Sequence, residues 1–484
     1  MATEHEHHHR QHPNTKGDTQ HQLHGVYEGV KPTHTGDRAL ETQGMSPIPE
    51  ASRYGSVLRM FTVWFTPNLE ISGVFIGTLA VVFGLGFGLG LVSIVLGAII
   101  GSLPVAILCT WGPKTGTGQL PLARLPFGKS VVLPGAVQWL SAIGWLSLGA
   151  LFGGQAAHLL FHVPFWAGTL IVLVLEATIS IYGYEYVQQA QAWGSVIMLV
   201  LFGVLTLRIF QHRVVLPHNT VHGTVLVGAF VLMVTVALSS TLSWASYASD
   251  YSRYLKSSTS KAGVFWYTMA GLTTSYLIVM LIGLAAASVL NNQTAEGIRT
   301  LVGGRVPGDL ALVAIVFAAI VSSSMNDYSA SLAFQTMGVR IKRPFISAAV
   351  MALSLVTIFW MNSGNLSGKF ENILLFASYW LSPFFAIVLI DWHYHRKLYV
   401  PSYLQSALAF KNLKSGWPAL VSFIVGFVVM IPFMDTSLIV GFVAHKLQGA
   451  DIAFYVGFIV TAVLYYFLRR FQPSDKTQSV SETV

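Results

Sequence analysis

Long apolar runs follow one another along most of the chain. Examples are Val95–Cys109, Leu170–Ile181 and Val196–Leu207, in which polar positions are rare. Each run lies within a window of about 20 residues, the length that an α-helix needs to cross the hydrocarbon core of a bilayer. A membrane β-barrel would instead show short segments in which apolar and polar positions alternate. The pattern therefore predicts an all-α polytopic membrane protein.

These runs predict about twelve transmembrane helices. Pro and Gly are frequent within them, as is usual for membrane helices. The predicted spans lie near residues 62–86, 89–111, 132–160, 164–182, 190–210, 224–249, 263–289, 309–337, 344–361, 371–391, 416–434 and 451–468. A single transmembrane domain over residues 53–470 contains all of them.

Composition and charge agree with a membrane location. Only 10% of the residues are Asp, Glu, Lys or Arg, whereas soluble domains carry about 25%, and the mean hydropathy is +0.61. The net charge of +8 could suggest nucleic acid. With both termini in the cytoplasm, however, the inner loops and tails hold 22 of the 28 Lys and Arg residues, as the positive-inside rule describes. We therefore predict a multi-pass plasma-membrane protein with cytoplasmic termini and no nucleic-acid partner.

The two ends of the chain are polar. Residues 1–52 contain half of the sixteen histidines, including the run His5–Arg10, and have no apolar core of a signal peptide. This composition predicts a disordered cytoplasmic tail. Metal capture by the histidines is the alternative, although their spacing matches no ligand pattern. Residues 471–484 are predicted to form a second cytoplasmic tail.

Spans 1 and 6 are interrupted at corresponding points. In span 1, Thr66 and Pro67 are followed by Asn68 and Glu70; in span 6, the stretch Ser239–Trp244 breaks an apolar run. Interrupted helices at matching positions of two halves point to an inverted-repeat transporter, whose unwound backbone lines a binding cavity. The alternative is a pair of continuous helices in which hydroxyl groups bond to carbonyls of their own helix.

Span 3 offers a flat surface. Trp145 and Gly149 are one helical turn apart and share a face, and Gln155 lies nearly three turns beyond Trp145 on roughly the same face. A glycine at that distance from an indole leaves a slot in which a flat aromatic ligand could stack. The alternative is a tryptophan packed at a close contact between helices.

Span 8 carries oxygen ligands and an amide. Ser322 and Ser323 have hydroxyl oxygens that suit a hard cation such as Na⁺, and the amide of Asn326 can both donate to and accept from the edge of a nucleobase. Spans 3 and 8 are again five apart. Glu176 in span 4 has no partner visible in the sequence, and both proton transfer and interhelical bonding are open for it.

Five stretches carry recognisable motifs, in order and with matching spacing. They are Val63–Leu79 (VWFTPNLEISGVFIGTL), Gly112–Gly128 (GPKTGTGQLPLARLPFG), Gly144–Gln155 (GWLSLGALFGGQ), Ser243–Leu255 (SWASYASDYSRYL) and Asn326–Gly338 (NDYSASLAFQTMG). The second is similar to a GPKTG-x-x-Q…R-x-x-FG loop, and the fourth to a G-W-x-x-Y-A-x-D-Y-x-R-Y signature. Together they resemble the nucleobase:cation symporter-1 family, most of all its purine–cytosine permease branch.

The resemblance implies a LeuT-like fold. Two inverted five-helix repeats are expected at about 60–212 and 222–395, with two further helices at about 414–470. It also implies a secondary active transporter that imports a nucleobase, cytosine or purines, by alternating-access symport with Na⁺ or H⁺. No cofactor is expected beyond the co-transported ion, and the expected partners are the nucleobase and the lipid bilayer, without an obligatory protein partner.

Site residues follow from the residues and the resemblance together. The predicted substrate-binding residues are Trp145, Gly149, Trp244, Ser243, Asn326, Thr66, Asn68 and Gln155. The predicted cation-binding residues are Ser322, Ser323 and Glu70. Asp250 and Arg253, three residues apart at the end of span 6, are predicted to be gating or structural groups that pair with each other. Glu70 stands where the family usually has Asn, so a proton and Na⁺ are both open as the coupling ion.

Two other classes of protein compete with this prediction. The first is a symporter of the same fold for another small heterocycle, such as allantoin, a hydantoin or a vitamin precursor, or for an amino acid. The second is a membrane enzyme or channel. Paired catalytic groups such as H-E-x-x-H are absent from the predicted spans, so we expect no catalytic residues and no resident metal.

Overall fold

A computed structural model describes residues 45–182, 184–212, 214–290, 294–339, 341–397 and 399–471. Most of the predicted N-terminal tail, residues 1–44, and the predicted C-terminal tail from residue 472 onwards lie outside this part of the chain. Within it, helices are joined by turns, and an isolated β-bridge links Asp435 and Val440.

The principal helices follow the predicted spans. They are α1 (Arg59–Phe65), α2 (Ile71–Val82), α3 (Phe87–Cys109), α4 (Val132–Phe161), α5 (Phe165–Tyr182), α6 (Tyr184–Gln211), α7 (Gly223–Leu242), α8 (Ala248–Ser252), α9 (Lys261–Leu290), α10 (Arg305–Thr336), α11 (Arg343–Asn362), α12 (Leu366–His395), α13 (Trp417–Met430) and α14 (Ala453–Leu468). Shorter α-helices are Gly112–Thr115, Gln119–Leu122, Arg124–Phe127, Thr294–Val302, Pro401–Ala407 and Phe442–Lys446. Short 3₁₀ turns are Glu50–Ser52, Thr66–Asn68, Gly128–Val131, Ser243–Tyr247, Phe410–Asn412, Ile431–Phe433 and Arg469–Phe471.

In the described ranges, nine helices are long and apolar enough to cross a membrane, and the bent pair α1–α2 can act as a tenth. Two further apolar helices, Phe165–Ile181 and Trp417–Phe433, are shorter. All twelve predicted segments therefore have a helical counterpart. The count of twelve crossings stays a prediction, because those two helices are shorter than a full span.

Span 1 is broken in the middle. α1 passes into the 3₁₀ turn Thr66–Asn68, Glu70 then has an extended backbone (φ −134°, ψ 165°), and α2 begins at Ile71. The two halves of the span differ in direction by 64°. Pro67 contributes to the break because it has no amide hydrogen for the helical ladder. The predicted interruption is present.

Span 6 changes its winding instead of bending. α7 ends at Leu242, and the chain continues as the 3₁₀ turn Ser243–Tyr247 into α8. The hydroxyls of Ser239 and Ser240 donate to carbonyls four residues earlier, those of Thr235 (2.8 Å) and Val236 (2.9 Å). Hydroxyl groups bonded to carbonyls of their own helix, the alternative considered for this stretch, are therefore present at Ser239 and Ser240. The change to 3₁₀ winding begins just after them, at Ser243.

Close helix contacts hold the two halves together. α4 packs along α10, α7 along α3, and α9 against both α2 and α3. At one contact between α2 and α9, a Cβ on Gly77 would lie 1.9 Å from the Met280 carbonyl oxygen, and a Cβ on Gly283 would lie 1.8 Å from that of Val74. Glycines at both positions therefore let the backbones of the two helices touch, as small residues do in membrane proteins.

Two residues near the predicted start of the transmembrane domain, residue 53, contact the loop after α3. Ile48 is buried, and its amide donates to the Gly116 carbonyl (2.8 Å). Arg53 donates to the Pro113 carbonyl (2.6 Å). Ile48, which belongs to the predicted tail, packs on the bundle because it is anchored to a loop distant in sequence.

One end of the bundle, called the basic end below, is the end predicted to face the cytoplasm. There α3, α12 and α14 end and α9 begins, and Trp111, Lys261, Trp392 and Tyr466 line one groove. The short helices between residues 112 and 127 lie in the segment that connects α3 to α4. The two span breaks lie deeper in the bundle.

Candidate functional site

Trp244 joins the breaks of spans 1 and 6. Its indole Nε1 donates to Asn68 Oδ1 (2.8 Å) and also to the Tyr276 hydroxyl oxygen (3.1 Å). Tyr276 in turn donates to the Ser240 carbonyl (2.9 Å). Because a buried N–H needs a partner, this chain of bonds fixes the plane of the indole between the two broken helices.

Aromatic rings surround Trp244. The ring centroids of Trp64 and Trp244 are 5.7 Å apart in an edge-to-face arrangement, and those of Trp244 and Tyr247 are 5.5 Å apart. Asn68 also donates from its Nδ2 to the Trp64 carbonyl (2.5 Å). The predicted residues Asn68 and Trp244 are therefore in direct contact, within a rigid aromatic cluster.

Glu70 occupies the break in span 1 together with hydroxyl groups from two helices. Ser72 donates to Glu70 Oε1, and Ser322 of α10 lies close to the same carboxylate. Glu70 Oε2 is buried without a hydrogen-bond partner among the described residues. A buried carboxylate in such a place needs a positive charge or a proton, so the arrangement can hold either.

Gly149 of α4 faces this carboxylate. A Cβ at Gly149 would lie 3.2 Å from Glu70 Oε2 and 3.3 Å from Ser323 Oγ. Trp145, one turn earlier on α4, is 9% exposed and shares the helix face of Gly149. The structure therefore brings Gly149, Glu70 and Ser323 together, with only the clearance of a glycine between α4 and the carboxylate.

A small cavity lies beside the break in span 1. Its volume is about 10 Å³, and Thr66, Met198 and Ser322 are among the residues that line it. A cavity of about this size holds one water-sized sphere. It has two hydroxyl groups, from Thr66 and Ser322, so it is large enough and polar enough for one small cation or water molecule.

The other predicted site residues differ in their surroundings. Asn326, one turn beyond Ser322 on α10, is buried, and its Nδ2 makes only a long bond to the Ser322 carbonyl (3.5 Å). Ser243 donates to the Ser240 carbonyl (2.7 Å), so its hydroxyl is already used. Gln155 is half-buried, and in the ranges that the structure covers no polar contact joins it to the rest of the site.

Asp250 links three segments at the end of span 6. Its Oδ1 accepts from the backbone amide of Gln119 (2.8 Å), and its Oδ2 accepts from the Ser329 hydroxyl of α10 (3.4 Å). Nearby, the buried Cys109 donates from its Sγ to the Ala248 carbonyl (3.1 Å). The end of α3, the loop after it, α8 and α10 are therefore tied together.

Arg253 is fully buried in the same region. Its Nη2 donates to the hydroxyl oxygens of Tyr254 (3.4 Å) and Tyr328 (3.3 Å). Both gating candidates thus contact the chain around α10, on which Asn326 lies. The ion pair between Asp250 and Arg253 stays a prediction.

Two residues of the site region were not predicted as such. Tyr276 was missed, although the polar stretch Thr273–Tyr276 within an apolar span is a signal. Arg124 was counted only for orientation, but it is buried and donates to the carbonyls of Gln335 (3.0 Å), Thr336 (2.7 Å) and Leu408 (2.6 Å). It caps the C-terminal end of α10, as cations favour helix C-termini.

Glu176 lies in the protein interior. It is fully buried, and neither carboxylate oxygen has a hydrogen-bond partner among the described residues. Asp327 interacts with it electrostatically, and Ser347 donates to Asp327 Oδ2 (2.6 Å). Interhelical hydrogen bonding, one of the two roles open for Glu176, is therefore not seen in the part of the chain that the structure describes.

Comparison with known proteins gives the family. A sequence model described as "Permease for cytosine/purines, uracil, thiamine, allantoin" matches residues 47–457. The putative purine-cytosine permease YxlA of Bacillus subtilis is 26% identical over 450 residues, 89% of this chain and 96% of that protein. The purine-cytosine permease fcyB of Emericella nidulans is 26% identical over 453 residues, 90% of this chain and 89% of that protein.

A solved structure agrees with the fold. Mhp1, a nucleobase-cation-symport-1 family transporter in a closed conformation with bromovinylhydantoin bound, is similar with a TM-score of 0.72 at 15% identity, over 90% of this chain and 96% of that chain. This likeness confirms the predicted LeuT-like all-α fold. The predicted family is confirmed as well, as is the prediction of a transporter and not an enzyme. The chain belongs to the family of permeases for cytosine/purines, uracil, thiamine and allantoin.

Proposed function

We propose that this permease imports a nucleobase, cytosine or a purine, by symport with Na⁺ or H⁺. The observation that carries the proposal is the indole of Trp244, held by Asn68 and Tyr276 at the breaks of spans 1 and 6. Its relatives named purine-cytosine permeases support the substrate class.

The site has what a flat, polar-edged heterocycle requires. Trp145 and Trp244 supply aromatic rings for stacking, and Gly149 lets α4 approach Glu70 and Ser323 closely. Among the described residues, the amide of Asn326 makes a single long bond, to the Ser322 carbonyl, so it can bond to the edge of a base. In this proposal Ser243 and Thr66 border the base, and Gln155 lies outside the first contact layer.

The cation is proposed to bind beside Glu70. Ser322, which lines the small cavity, and Ser323, whose Oγ is buried without a partner in the described chain, supply oxygens from α10. Glu70 Oε2 supplies the negative charge. Because Glu70 and Asn68 are two residues apart in the same break, cation binding and substrate binding act on one segment, which is the coupling that symport needs.

Uptake into proteoliposomes tests the proposal. Purified protein is reconstituted, and uptake of radiolabelled cytosine, adenine and hypoxanthine is measured under an inward Na⁺ gradient, an inward H⁺ gradient, or neither. Saturable uptake of at least one base that depends on one gradient is expected. If no base is taken up under either gradient, the proposal is wrong.

A second candidate is a symporter for another heterocycle. The family description includes thiamine and allantoin, and the similar structure holds a hydantoin. Gly149 favours this alternative to some extent, because it provides no side chain that could bond to a particular base. Competition of unlabelled allantoin, hydantoin and vitamin precursors with cytosine uptake separates the two candidates: stronger inhibition by one of these compounds than by any base supports the second.

We also propose that the protein lies in the plasma membrane with both termini in the cytoplasm. The excess of Lys and Arg in the loops of the basic end supports this orientation. Protease cleavage of tags at the two termini, in intact cells and in inverted vesicles, tests it. Cleavage of either tag in intact cells contradicts the orientation.

A further inference from the structure

A large groove at the basic end lies apart from the transport site. Its volume is about 980 Å³, and it lies between the ends of α3, α12 and α14 and the start of α9. The site residues described above do not line it. Its position at the ends of four membrane helices places it at the level of the lipid headgroups.

The walls of the groove are aromatic and apolar. Trp111 and Trp392 stack with ring centroids 4.3 Å apart and planes within 5°. Trp266 remains 66% exposed, and Ile107 and Ile390 continue the wall toward the membrane interior. Tryptophans are typical of the membrane interface, but an exposed apolar surface in a concave groove of this size usually marks a binding site.

The groove is positively charged. Lys261, Arg396 and the exposed His393 line it, and its described lining contains no acidic residue. Lys114 lies beside it: its Nζ is 5.3 Å from the centroid of the Trp392 ring and is repelled by both Lys261 and Arg396. A cluster of cations that repel one another is more stable when an anion binds between them.

The carboxylate of Asp391, between the lining residues Ile390 and Trp392 in sequence, has hydrogen-bond partners within the protein. Asp391 is buried and accepts from the hydroxyls of Tyr399 and Tyr465 (2.9 Å for the latter). His395 also contacts Asp391, at 3.1 Å. Asp391 is thus engaged by three side chains within the protein and does not line the groove.

We propose that this groove binds an anionic phospholipid. The phosphate lies between Lys261 and Arg396, and the acyl chains follow Ile107 and Ile390 toward the bilayer interior. Basic pockets between membrane helices on the cytoplasmic side are suited to anionic headgroups. A soluble phosphate would use the same cations but would leave the apolar wall uncovered, so the lipid is the better match. The bound lipid connects the start of α9 to the end of α12.

Lipid retention by the full chain in detergent tests the proposal. Native mass spectrometry measures how much phosphatidylglycerol and phosphatidylcholine the protein retains from mixed micelles. Wild-type protein should retain the anionic lipid preferentially. The variant Lys261→Gln/Arg396→Gln should lose phosphatidylglycerol affinity by roughly 25-fold, since each cation near the surface contributes about 1 kcal/mol, or a factor of about five.

The matched control removes two charges elsewhere at the basic end. Lys256 and Lys342 are exposed and do not line the groove, so Lys256→Gln/Lys342→Gln should keep the wild-type preference. Equal loss in both variants, or no loss in either, overturns the proposal. If soluble glycerol 3-phosphate displaces the lipid as well as phosphatidylglycerol does, the groove is an anion site and the proposal is wrong.

A second variant distinguishes a loss of lipid binding from a loss of folding. Lys261 is exposed at the start of α9, so Lys261→Glu should fold and should reject phosphatidylglycerol more strongly than Lys261→Gln. Gel filtration and thermal unfolding in a neutral detergent show whether each variant is folded. The readout is lipid binding, so the result does not depend on which substrate the permease transports.

Discussion

At the scale of single residues, the structure explains why Trp244 should be essential. Trp244→Ala removes the ring and leaves the partners Asn68 and Tyr276 without their donor, so uptake should be lost while expression is retained. Asn326→Ala should also abolish uptake, because it removes the amide proposed to bind the base. Trp244→Phe keeps a ring and should reduce uptake about fivefold, the effect of one hydrogen bond of about 1 kcal/mol.

The control for Trp244 is Trp193→Ala. Trp193 lies on α6 and is 71% exposed, so its loss should leave initial uptake rates unchanged. Uptake that persists in both Trp244→Ala and Asn326→Ala would contradict the proposed site.

Gly149 sets the distance between α4 and the carboxylate of Glu70, beside the proposed substrate site. A methyl group at this position would lie 3.2 Å from Glu70 Oε2 and 3.3 Å from Ser323 Oγ, closer than an ordinary contact. Gly149→Ala should therefore raise KM, and Gly149→Val should abolish uptake. Gly203→Ala is the control, since no atom lies within 4 Å of a Cβ there. Unchanged KM in Gly149→Ala together with retained uptake in Gly149→Val would place the substrate elsewhere.

Some of these residues were predictable and others were not. Asn68, Glu70 and Trp244 stand at breaks in apolar runs, where polarity is costly and so points to function. Tyr276 lies within an apolar span, and its role depends on how α9 packs against the break in span 1. Side-chain directions of that kind are set by tertiary packing, which a single sequence does not contain.

At the scale of helices, Arg124 fastens the end of α10. It donates to the carbonyls of Gln335, Thr336 and Leu408, which a lysine cannot reach together because its ammonium is a single point. Arg124→Lys should therefore lower the free energy of unfolding by about 2 kcal/mol and reduce uptake. Thermal unfolding of the purified protein measures the first effect.

Lys129→Arg serves as the control for Arg124→Lys. Lys129 lies in the same loop but is exposed, so exchanging it should leave the melting temperature unchanged. A melting temperature for Arg124→Lys equal to that of wild type would show that the cap does not stabilise α10.

Asp451 joins three helices at the end opposite the basic end. It accepts from Tyr379 of α12 and from the amides of Asp435 (2.8 Å) and Ala453 (3.1 Å), and its carbonyl accepts from Thr235 of α7 (2.8 Å). Burial raises the pKa of Asp451 to about 6, although these bonds act in the opposite direction.

The raised pKa of Asp451 predicts a dependence of stability on pH. The folded protein binds this proton more tightly than the unfolded chain, whose Asp pKa is about 3.9. The contribution is therefore complete below about pH 4 and is lost as the pH rises through about 6, a change of about 3 kcal/mol. Thermal unfolding between pH 4 and 7 should show this decline. Asp451→Asn should flatten it, whereas Glu296→Gln, at an exposed position, should not.

The two span breaks show what could be foreseen about helices. Both were predicted, and span 1 is bent as expected because Pro67 interrupts the ladder. Span 6 contains neither proline nor glycine at Ser239–Trp244, so the chain changes to 3₁₀ winding there without a sharp bend. The presence of Pro67 in span 1 and the absence of proline from Ser239–Trp244 account for the difference. The polarity pattern alone does not distinguish a bent span from one that changes its winding.

At the scale of the whole molecule, fold and family could be predicted because long apolar runs and ordered motifs extend over most of the chain. The anchoring of Ile48 on Gly116 could not, since it joins segments that share no pattern. For the same reason, the contacts that close the basic end became visible only in three dimensions. Among them, Asp250 connects α8 with the loop of Gln119 and with Ser329 of α10.

Loss of Asp250 should open the basic end. Asp250→Ala removes an acceptor from the Gln119 amide and from Ser329, and an ionised hydrogen bond contributes about 1.5 kcal/mol or more. The population open toward this end should therefore rise about tenfold. Asp309→Ala, which breaks an ion pair with Arg299 at the opposite end, is the control. A closed population unchanged in Asp250→Ala would exclude Asp250 as a gating group.

The chain contains a natural probe for that measurement. Cys109 is the single cysteine of the sequence, and it is buried against the Ala248 carbonyl where α3 meets α8. A thiol reagent such as a fluorescent maleimide can therefore reach it only when these helices separate. The rate at which Cys109 is labelled in the unmodified protein, with and without substrate, therefore reports how often α3 and α8 separate. No cysteine has to be removed or introduced for this measurement.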